Sequence, residues 1–209
     1  MKKMNPTKTR VNHISITPKI LYYGTPVILL NTLNEDGSTN ISPISSSWAL
    51  GDNIILGIGQ GGKAMENLQR HKECVLNIPD YSLWRQVEAI APFTGKNPVP
   101  EGKQKLGFSY KKDKFHAGEL TEQASHKVKP SRINECPIQI EAEVKNIRIP
   151  EYDPFFGIIE TKALKVHVLE ELVIGDHHID PEKWNPLIYN FRHYFGLGNQ
   201  LGKTYRAEV

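Results

Sequence analysis

The sequence predicts a mainly β, α+β fold in which antiparallel strands form a closed or split β-barrel with inserted helices. Three observations favour it: about seven apolar or alternating runs of strand length, tight turns between consecutive runs, and only two or three helix-like segments. A chain of 209 residues can bury the core of one large domain. We therefore expect a single domain over residues 13–209, preceded by a flexible tail over residues 1–12.

The first part of the chain predicts an antiparallel meander. Branched aliphatic residues dominate 26–33, and the Asp-Gly pair at 36–37 supplies the positive φ that a tight hairpin turn needs. We expect a return strand over 38–47, a second turn at 51–53 and a third strand over 54–58.

The middle of the chain adds the predicted helices. Apolar residues at helical spacing predict a helix over 63–71, followed by a buried strand over 74–78. Asp80 or Ser82 is expected to cap a second helix. The segment around 92–125 is rich in Pro and Gly, so it is predicted to be an insertion that is mostly loop.

The last part of the chain returns to strands. Strict alternation over 137–149 predicts a half-buried strand, and further strands are expected over 156–160 and 162–174. The C-terminal segment 184–209 is too aromatic for a disordered tail, so we expect it to pack against the domain.

Charge and cysteine content narrow the class of protein. A formal net charge of +3 is mild and favours anionic small molecules over nucleic acid as partners. The lysines between 96 and 114 are interpreted as a solvated surface. The two cysteines are far apart in the sequence, so they do not suggest a disulfide framework. No apolar run is as long as the roughly 20 residues that a membrane-spanning helix needs. No apolar segment follows the basic N-terminus, so we expect a cytoplasmic protein that binds neither nucleic acid nor membrane.

A short stretch near residue 178 contains residue types that can bind a metal ion. His177 and His178 lie close to Asp176 and Asp180. Adjacent side chains of a strand point to opposite faces, so the two histidines are poorly placed to share an ion. We therefore predict no metal site.

Three glycines suggest a different fold. Gly57, Gly59 and Gly62 spell G-x-G-x-x-G, the pattern of Rossmann domains, and Asp80 lies near the distance expected for an acid that binds ribose. The preceding strand belongs to an antiparallel hairpin, however, and only one β-α-β unit is visible. A Rossmann-type dinucleotide-binding protein is therefore a remote alternative. A Gly-rich turn that opens a helix can still hold a phosphate through backbone N–H groups and the helix dipole.

Several stretches carry a resemblance to a known family. They are PVILLNTLNEDGSTNISPISSSWALGDN at 26–53, IILGIGQGGKAMENLQRHKECVLNIP at 54–79, HKVKPSRINECP at 126–137, and PLIY and YF at 186–189 and 194–195. In this order they make the chain similar to the flavin reductase-like family of FMN-binding split-barrel proteins, which includes nitrilotriacetate monooxygenase component B and the flavoredoxins. The resemblance implies an antiparallel, Greek-key-like FMN-binding split barrel.

The resemblance also implies an activity. It indicates an NAD(P)H-dependent flavin reductase that transfers a hydride from NADH or NADPH to N5 of FMN, with FAD as the alternative flavin. It further implies a homodimer with the flavin near the interface, and a partner monooxygenase that receives reduced flavin. Two alternatives stay open, namely an FMN-bound electron carrier and a flavin oxidoreductase that acts on another acceptor without free-flavin reductase activity.

The same resemblance implies the residues of the flavin site. The ring is expected against the Ser-rich strand end, and the phosphate in the Gly-rich turn with Lys63 as its cation. Lys127 and Arg132 are candidates for stabilising the reduced ring near N1 and O2. The predicted set is Ser45, Ser46, Ser47, Trp48, Ala49, Gln60, Gly61, Gly62, Lys63, Asn67, Lys127 and Arg132. No side chain is predicted to be catalytic, because the cofactor carries the chemistry. Many relatives have Thr where this chain has Ala64, which removes one hydroxyl from the predicted phosphate site.

Overall fold

The computed structural model describes residues 11–204. Within them, the strands are β1 (Tyr23–Pro26), β2 (Ile28–Leu33), β3 (Thr39–Ile44), β4 (Ser47–Leu50), β5 (Asn53–Gly59), β6 (Glu73–Ile78), β7 (Phe93–Thr94), β8 (Ser109–Tyr110), β9 (Glu122–Gln123), β10 (Arg132–Ile133), β11 (Ile138–Arg148), β12 (Phe156–Val168), β13 (Val173–Ile174), β14 (His178–Ile179), β15 (Ile188–Asn190) and β16 (His193–Phe195). The α-helices are α1 (Lys63–Arg70), α2 (Trp84–Ile90), α3 (Glu101–Gln104) and α4 (Lys114–Ala117), and 3₁₀ turns lie at Tyr81–Leu83 and Glu170–Leu172. Over the described range, no helix is both long enough and apolar enough to span a membrane.

Seven of these strands form one antiparallel sheet, in the order β3-β2-β6-β11-β12-β5-β4. Its two longest strands, β11 and β12, have 11 and 13 residues and pair with each other near the middle of the sheet. The sheet curls into a half-barrel, and the helices are few. The predicted mainly β split barrel with inserted helices is therefore confirmed.

Strand β2 separates two hydrophobic clusters, which explains why all six of its residues are buried. Side chains alternate across a strand, so Ile28 and Leu30 share one face and join Met65 of α1 in the first cluster. Leu29 faces the other way and joins Val87 of α2 in the second cluster. The second cluster therefore fixes α2 against the outside of the sheet.

The consecutive strands β3 and β4 lie at opposite edges of the sheet. The link between them, Ser45-Ser46, carries the chain from one edge to the other and is held against β5, because the Gly57 N–H donates to the carbonyl oxygen of Ser46 at 2.8 Å. A Cβ atom at Gly57 would stand 3.1 Å from the Cβ of Ser46, so glycine permits this close approach. We call this contact between Ser46 and Gly57 the seam of the barrel.

The first strands differ from their predicted bounds. The strand expected over 26–33 divides into β1 and β2, because the Val27 N–H donates to the carbonyl oxygen of Leu187 at 2.8 Å instead of continuing one ladder. The return strand expected over 38–47 ends at Ile44, where the chain leaves β3 for the seam.

The last long strand is continuous where the sequence predicts two strands. Strand β12 runs through the expected break at residue 161 and ends at Val168. Thr161 is polar but buried, and its hydroxyl donates to the carbonyl oxygen of Ile54 at 2.8 Å, so its polarity does not interrupt the strand.

The insertion segment, residues 92–125, is more ordered than predicted. It contains α3, α4 and a short parallel pair formed by β7 and β8. Lys114 has only 2% of its surface exposed, and Lys103 lines a cleft. The interpretation of the lysines between 96 and 114 as a solvated surface is therefore wrong for these two, because the segment folds back over them.

Part of the aromatic C-terminal segment packs against the domain. Strands β15 and β16 form a three-stranded sheet with β1. The ring of Tyr189 lies edge-on to Tyr22, with centroids 5.4 Å apart, and 5.9 Å from the ring of Tyr194. Residues 1–10 of the predicted flexible tail and Tyr205 of the aromatic segment lie outside the described residues.

Candidate functional site

A cleft of about 420 Å³ lies between the seam and the insertion segment. The residues that line it come from the strand edge, from the start of α1, from α2 and the insertion segment, and from the C-terminal sheet. They include Ser42, Ser45, Ser46, Gly57, Gly59, Gln60, Gly62, Lys63, Val87, Phe93, Gly95, Lys103, Lys114, Tyr189 and Tyr194.

Small residues form the sheet side of the cleft. Ser45 and Ser46 of the seam lie beside Gly57 and Gly59 of β5. A Cβ atom at Gly59 would meet no atom within 4 Å, so this stretch of backbone is uncovered. Short side chains over an open backbone let a flat ligand approach the peptide groups closely.

Gln60 belongs to the same wall of the cleft. Its backbone N–H donates to the carbonyl oxygen of Phe155 at 2.7 Å, which fixes the residue in place. Its amide nitrogen, Nε2, is buried beside Gly157, where a Cβ atom would stand 3.5 Å from it, and it has no hydrogen-bond partner among residues 11–204. Gln60 therefore shapes the wall through its backbone.

The N-terminal end of α1 forms one end of the cleft. Gly62 is the N-cap of this eight-residue helix, and no side chain caps its first N–H groups. A Cβ atom at Gly62 would lie 3.5 Å from Nζ of Lys103, so the lysine ammonium reaches this helix end. Free N–H groups, the helix dipole and a cation all favour an anion at this position.

Lys103 carries its charge without a carboxylate. Within residues 11–204 no ion pair joins it to Asp or Glu, and its ammonium lies 5.6 Å from the centre of the Phe108 ring. Burial lowers the pKa of Lys103, and the nearby charge of Lys96 lowers it further. An anion in the cleft would favour the charged form of Lys103 and so raise its pKa again.

Lys63 lines the cleft, but two carboxylates already surround its ammonium group. Nζ lies 2.7 Å from a carboxylate oxygen of Glu35 and 2.7 Å from one of Glu66. Burial opposes the charge of Lys63, but hydrogen bonds to these carboxylates outweigh it and raise the pKa. Lys63 is therefore part of an ion-pair network beside the cleft, and its role toward a phosphate stays a prediction.

Lys114 lies deep in the cleft wall. Its ammonium donates to the carbonyl oxygen of Ile41 at 2.7 Å. Burial, with the charge of Lys103 as a smaller contribution, lowers the pKa of Lys114 to about 7. Neither Lys103 nor Lys114 is in the set predicted from the sequence. The one available signal was the density of lysines between 96 and 114, which does not tell a buried lysine from a solvated one.

Two other residues of the predicted Ser-rich strand end line a second cavity. This cavity, of about 590 Å³, is bounded by Ser47 and Trp48 together with Ser45 and Ser46, which line both cavities. Trp48 is 60% exposed, and Ala49 follows it on the exposed strand β4. The seam therefore separates the two cavities.

The predicted turn residue Gly61 lies between Gln60 and the helix. Its φ is +73°, a left-handed conformation that favours glycine. The turn therefore needs glycine at this position in order to bring the chain from β5 into α1.

Besides Ser47, Trp48, Ala49 and Gly61, three more predicted residues lie away from the described lining of the cleft. Asn67 is fully buried and donates to Thr32 and Asn34 at 3.0 Å each, so it pins α1 to the end of β2. Arg132 is buried and donates to the side chain of Gln139 at 2.8 Å. The backbone N–H of Lys127 donates to the carboxylate of Glu141. Among residues 11–204 these contacts are structural, and flavin contacts by these three residues remain predictions.

The G-x-G-x-x-G pattern has a different structural cause from a Rossmann turn. Gly57 and Gly59 lie on β5, which pairs with β4 on one side and β12 on the other, both antiparallel. A Rossmann unit requires parallel strands around the glycine turn. The antiparallel sheet therefore overturns the Rossmann alternative.

The fold and the cleft together define an antiparallel split-barrel protein whose cleft has a wall of small residues and a cationic end. A family model described as a flavin reductase like domain matches residues 20–198. The chain belongs to this flavin reductase-like family, as its resemblance predicted.

The chain is also similar to individual proteins, one in sequence and two in structure. YdfE of Bacillus subtilis (strain 168), an uncharacterized protein, is 61% identical over 194 residues, which are 93% of this chain and 94% of that protein. Flavoredoxin of Desulfovibrio vulgaris (Miyazaki F) has a similar structure, with a TM-score of 0.75 and 20% identity, covering 94% of this chain and 99% of that chain. Nitrilotriacetate monooxygenase component B from Bacillus cereus has a TM-score of 0.73 and 18% identity, covering 93% and 100%. The two structures show that the fold is shared.

Proposed function

We propose that this protein binds FMN in the cleft and that NADH or NADPH reduces the bound flavin. The observation that carries the proposal is Lys103, a cation without a carboxylate partner within residues 11–204, whose ammonium reaches the uncapped N-terminal end of α1. FMN combines a flat ring with a phosphate dianion, and the cleft offers a small-residue wall and a cationic end. The family supports a flavin, and FAD is the alternative to FMN.

Residues of the chain would divide the binding between them. The phosphate would lie at the start of α1, held by backbone N–H groups of Gly62 and its neighbours and by Lys103, with Lys63 nearby. The ring would lie against Ser45, Ser46 and Gly57, with Gln60 in the same wall. Gly61 would contribute by shaping the turn.

The flavin, when bound, supplies the redox chemistry by accepting a hydride at N5. Hydride transfer needs no nucleophile from the protein. The protein contributes by positioning the ring and by shaping its electrostatic environment. Val87, Phe93 and Tyr189 provide apolar and aromatic surface that excludes water from the cleft. The lysines of the cleft favour an anionic form of the ligand electrostatically.

A homodimer is part of the proposal. Trp48 and Leu50 on β4 and Tyr23 on β1 are 60%, 74% and 76% exposed. Trp48 and Tyr23 line the second cavity, next to the seam. Covering such apolar surface is a usual reason for self-association. In that dimer a second copy would lie near Ser47, Trp48 and Ala49.

The destination of the electrons separates two versions of the function. The fold is shared with a monooxygenase component, and in the first version the protein releases reduced flavin to an oxygenase partner. The fold is also shared with a flavoredoxin, and in the second version the protein keeps FMN bound and passes electrons on. Steady-state turnover with NADH or NADPH and excess FMN distinguishes them, because only the first version reduces free flavin catalytically.

The first test is the visible absorption spectrum of the purified protein, recorded after FMN addition and desalting. A retained flavin band that bleaches anaerobically with NADH or NADPH supports the proposal and identifies the nucleotide. If flavin is retained but neither nucleotide bleaches it, the proposal that NADH or NADPH is the electron donor is wrong. If no flavin is retained and excess FMN or FAD is not turned over, the proposal is wrong.

A further inference from the structure

Lys114 is a buried cation that the proposed function leaves without a task. It begins α4, lines the cleft and has 2% of its surface exposed. Its hydrogen bond to the carbonyl oxygen of Ile41, at 2.7 Å, satisfies one of the three donors of an ammonium group. Buried lysines are rare unless they are paired, and no carboxylate among residues 11–204 forms an ion pair with this one.

The charged groups around Lys114 give it no compensation. Lys103 faces it from α3 and adds repulsion. On α2, the carboxylate of Glu88 accepts a hydrogen bond from the Tyr194 hydroxyl at 3.0 Å, and Arg85 lies over the Trp84 ring. Strand β3, which provides the carbonyl partner, has no titratable side chain. At the N-cap of α4, the carboxylate of Asp113 accepts a hydrogen bond from the backbone N–H of His116 at 2.9 Å.

We propose that Lys114 is a proton-coupled cation of the cleft, which takes up a proton when the phosphate group of a flavin nucleotide enters. The inference rests on the proposed function, because it requires that a phosphate monoester binds beside Lys103. Without the ligand, the repulsion from Lys103 and the burial disfavour a second positive charge in the cleft. With a dianion in the cleft, two ammonium groups balance two negative charges.

The proton balance follows from the pKa of the empty site. At pH 8 a lysine with a pKa of about 7 is mostly neutral. The phosphate monoester, whose second pKa is about 6, is already a dianion at that pH. Binding then transfers about one proton from solvent to Nζ of Lys114 for each FMN bound. As a consequence, the affinity for FMN falls as the pH rises above 7, by up to about tenfold per pH unit.

The test counts protons during FMN binding at pH 8, by calorimetric titration in two buffers of different ionisation enthalpy. Wild type is expected to take up about one proton per FMN, and Lys114→Met and Lys114→Arg close to none. Lys105→Met is the matched control, because Lys105 is 72% exposed and pairs with Glu101 at 2.6 Å, so it should behave like wild type. Riboflavin, which lacks the phosphate, should bind to wild type with little proton uptake.

Several results would overturn the inference. Equal proton uptake by wild type and Lys114→Met would do so, and so would equal uptake with riboflavin and FMN. FMN binding without proton uptake overturns this inference alone, whereas the absence of any flavin binding overturns the proposed function as well. If both variants fail to fold, ¹³C-lysine NMR of the wild type decides. One lysine signal must titrate near pH 7 without FMN and at clearly higher pH with it.

Discussion

The ammonium group of Lys103 and the backbone of Gly62 meet at the N-terminal end of α1, where a Cβ atom on the glycine would lie 3.5 Å from Nζ. The two residues come from segments about forty positions apart, the turn after β5 and helix α3. Their contact combines a formal positive charge with the uncapped N–H groups of the helix. It is the feature of the cleft that best matches a phosphate.

Replacing Lys103 by Met should weaken FMN binding by roughly 10- to 100-fold, because a charge-assisted hydrogen bond contributes about 1.5–3 kcal/mol. Riboflavin affinity should change much less, since riboflavin has no phosphate. Fluorescence titration of both ligands measures the two effects. The exposed Lys105→Met serves as the control, and an equal loss for FMN and riboflavin would contradict a phosphate contact.

Replacing Lys63 by Met should also weaken FMN binding, for a different reason. The change leaves Glu35 and Glu66 with less positive charge beside the cleft, so their carboxylates repel the phosphate. We expect a loss of about tenfold, or about 1.4 kcal/mol. Adding Glu66→Gln should recover part of the affinity, and Lys63→Arg should retain most of it. No recovery in the double variant would indicate that Lys63 contacts the ligand directly.

Gly95→Ala should destabilise the fold. A Cβ atom at Gly95 would stand 2.3 Å from Oδ1 of Asn40, a side chain that is 99% buried and has little room to move. Overpacking of this kind costs about 1–3 kcal/mol. Chemical denaturation measures the free energy of unfolding. Gly102→Ala is the matched control, because a Cβ there meets no atom within 4 Å and alanine favours the helix α3, so stability should stay equal or rise.

Lys114→Met should stabilise the protein at low pH. The pKa of Lys114 is about 7 in the folded state, below its unfolded value, so folding releases a proton between pH 7 and about 10. Wild-type stability therefore carries the full cost of the buried charge below pH 7 and recovers it as the pH rises through this range. The stability advantage of the Met variant should be largest at pH 6 and shrink toward pH 10. An advantage that does not depend on pH would contradict the shifted pKa.

Local patterns predicted the fold because strands and turns are specified by neighbouring residues. The apolar run of β2 and the Asp-Gly turn after it were predictable, and Gly37 has the expected positive φ of 84°. The alternation along β11 likewise predicted a strand of nearly the observed length. The break between β1 and β2 was not predictable, because it depends on a hydrogen bond to Leu187, far along the chain.

The site was only partly predictable, because its charges are set by tertiary contacts. Ser45, Ser46, Gln60, Gly62 and Lys63 were predicted from the resemblance, and all of them line the cleft. One of the two carboxylate partners of Lys63, Glu35, lies 28 positions away, and no local pattern identifies it. Likewise, nothing in the spacing of the lysines in the insertion segment reveals which of them the fold buries.

The seam has a consequence for the order in which the sheet can form. Ser46 and Gly57 are separated by a short stretch of chain, and their contact extends the hairpin of β4 and β5. Closing so short a loop costs little conformational entropy compared with the distant pairing of β2 with β6 or β6 with β11. The wall on which a flat ligand would rest can therefore form from local contacts, while the cationic side depends on the slower, long-range docking of the insertion segment.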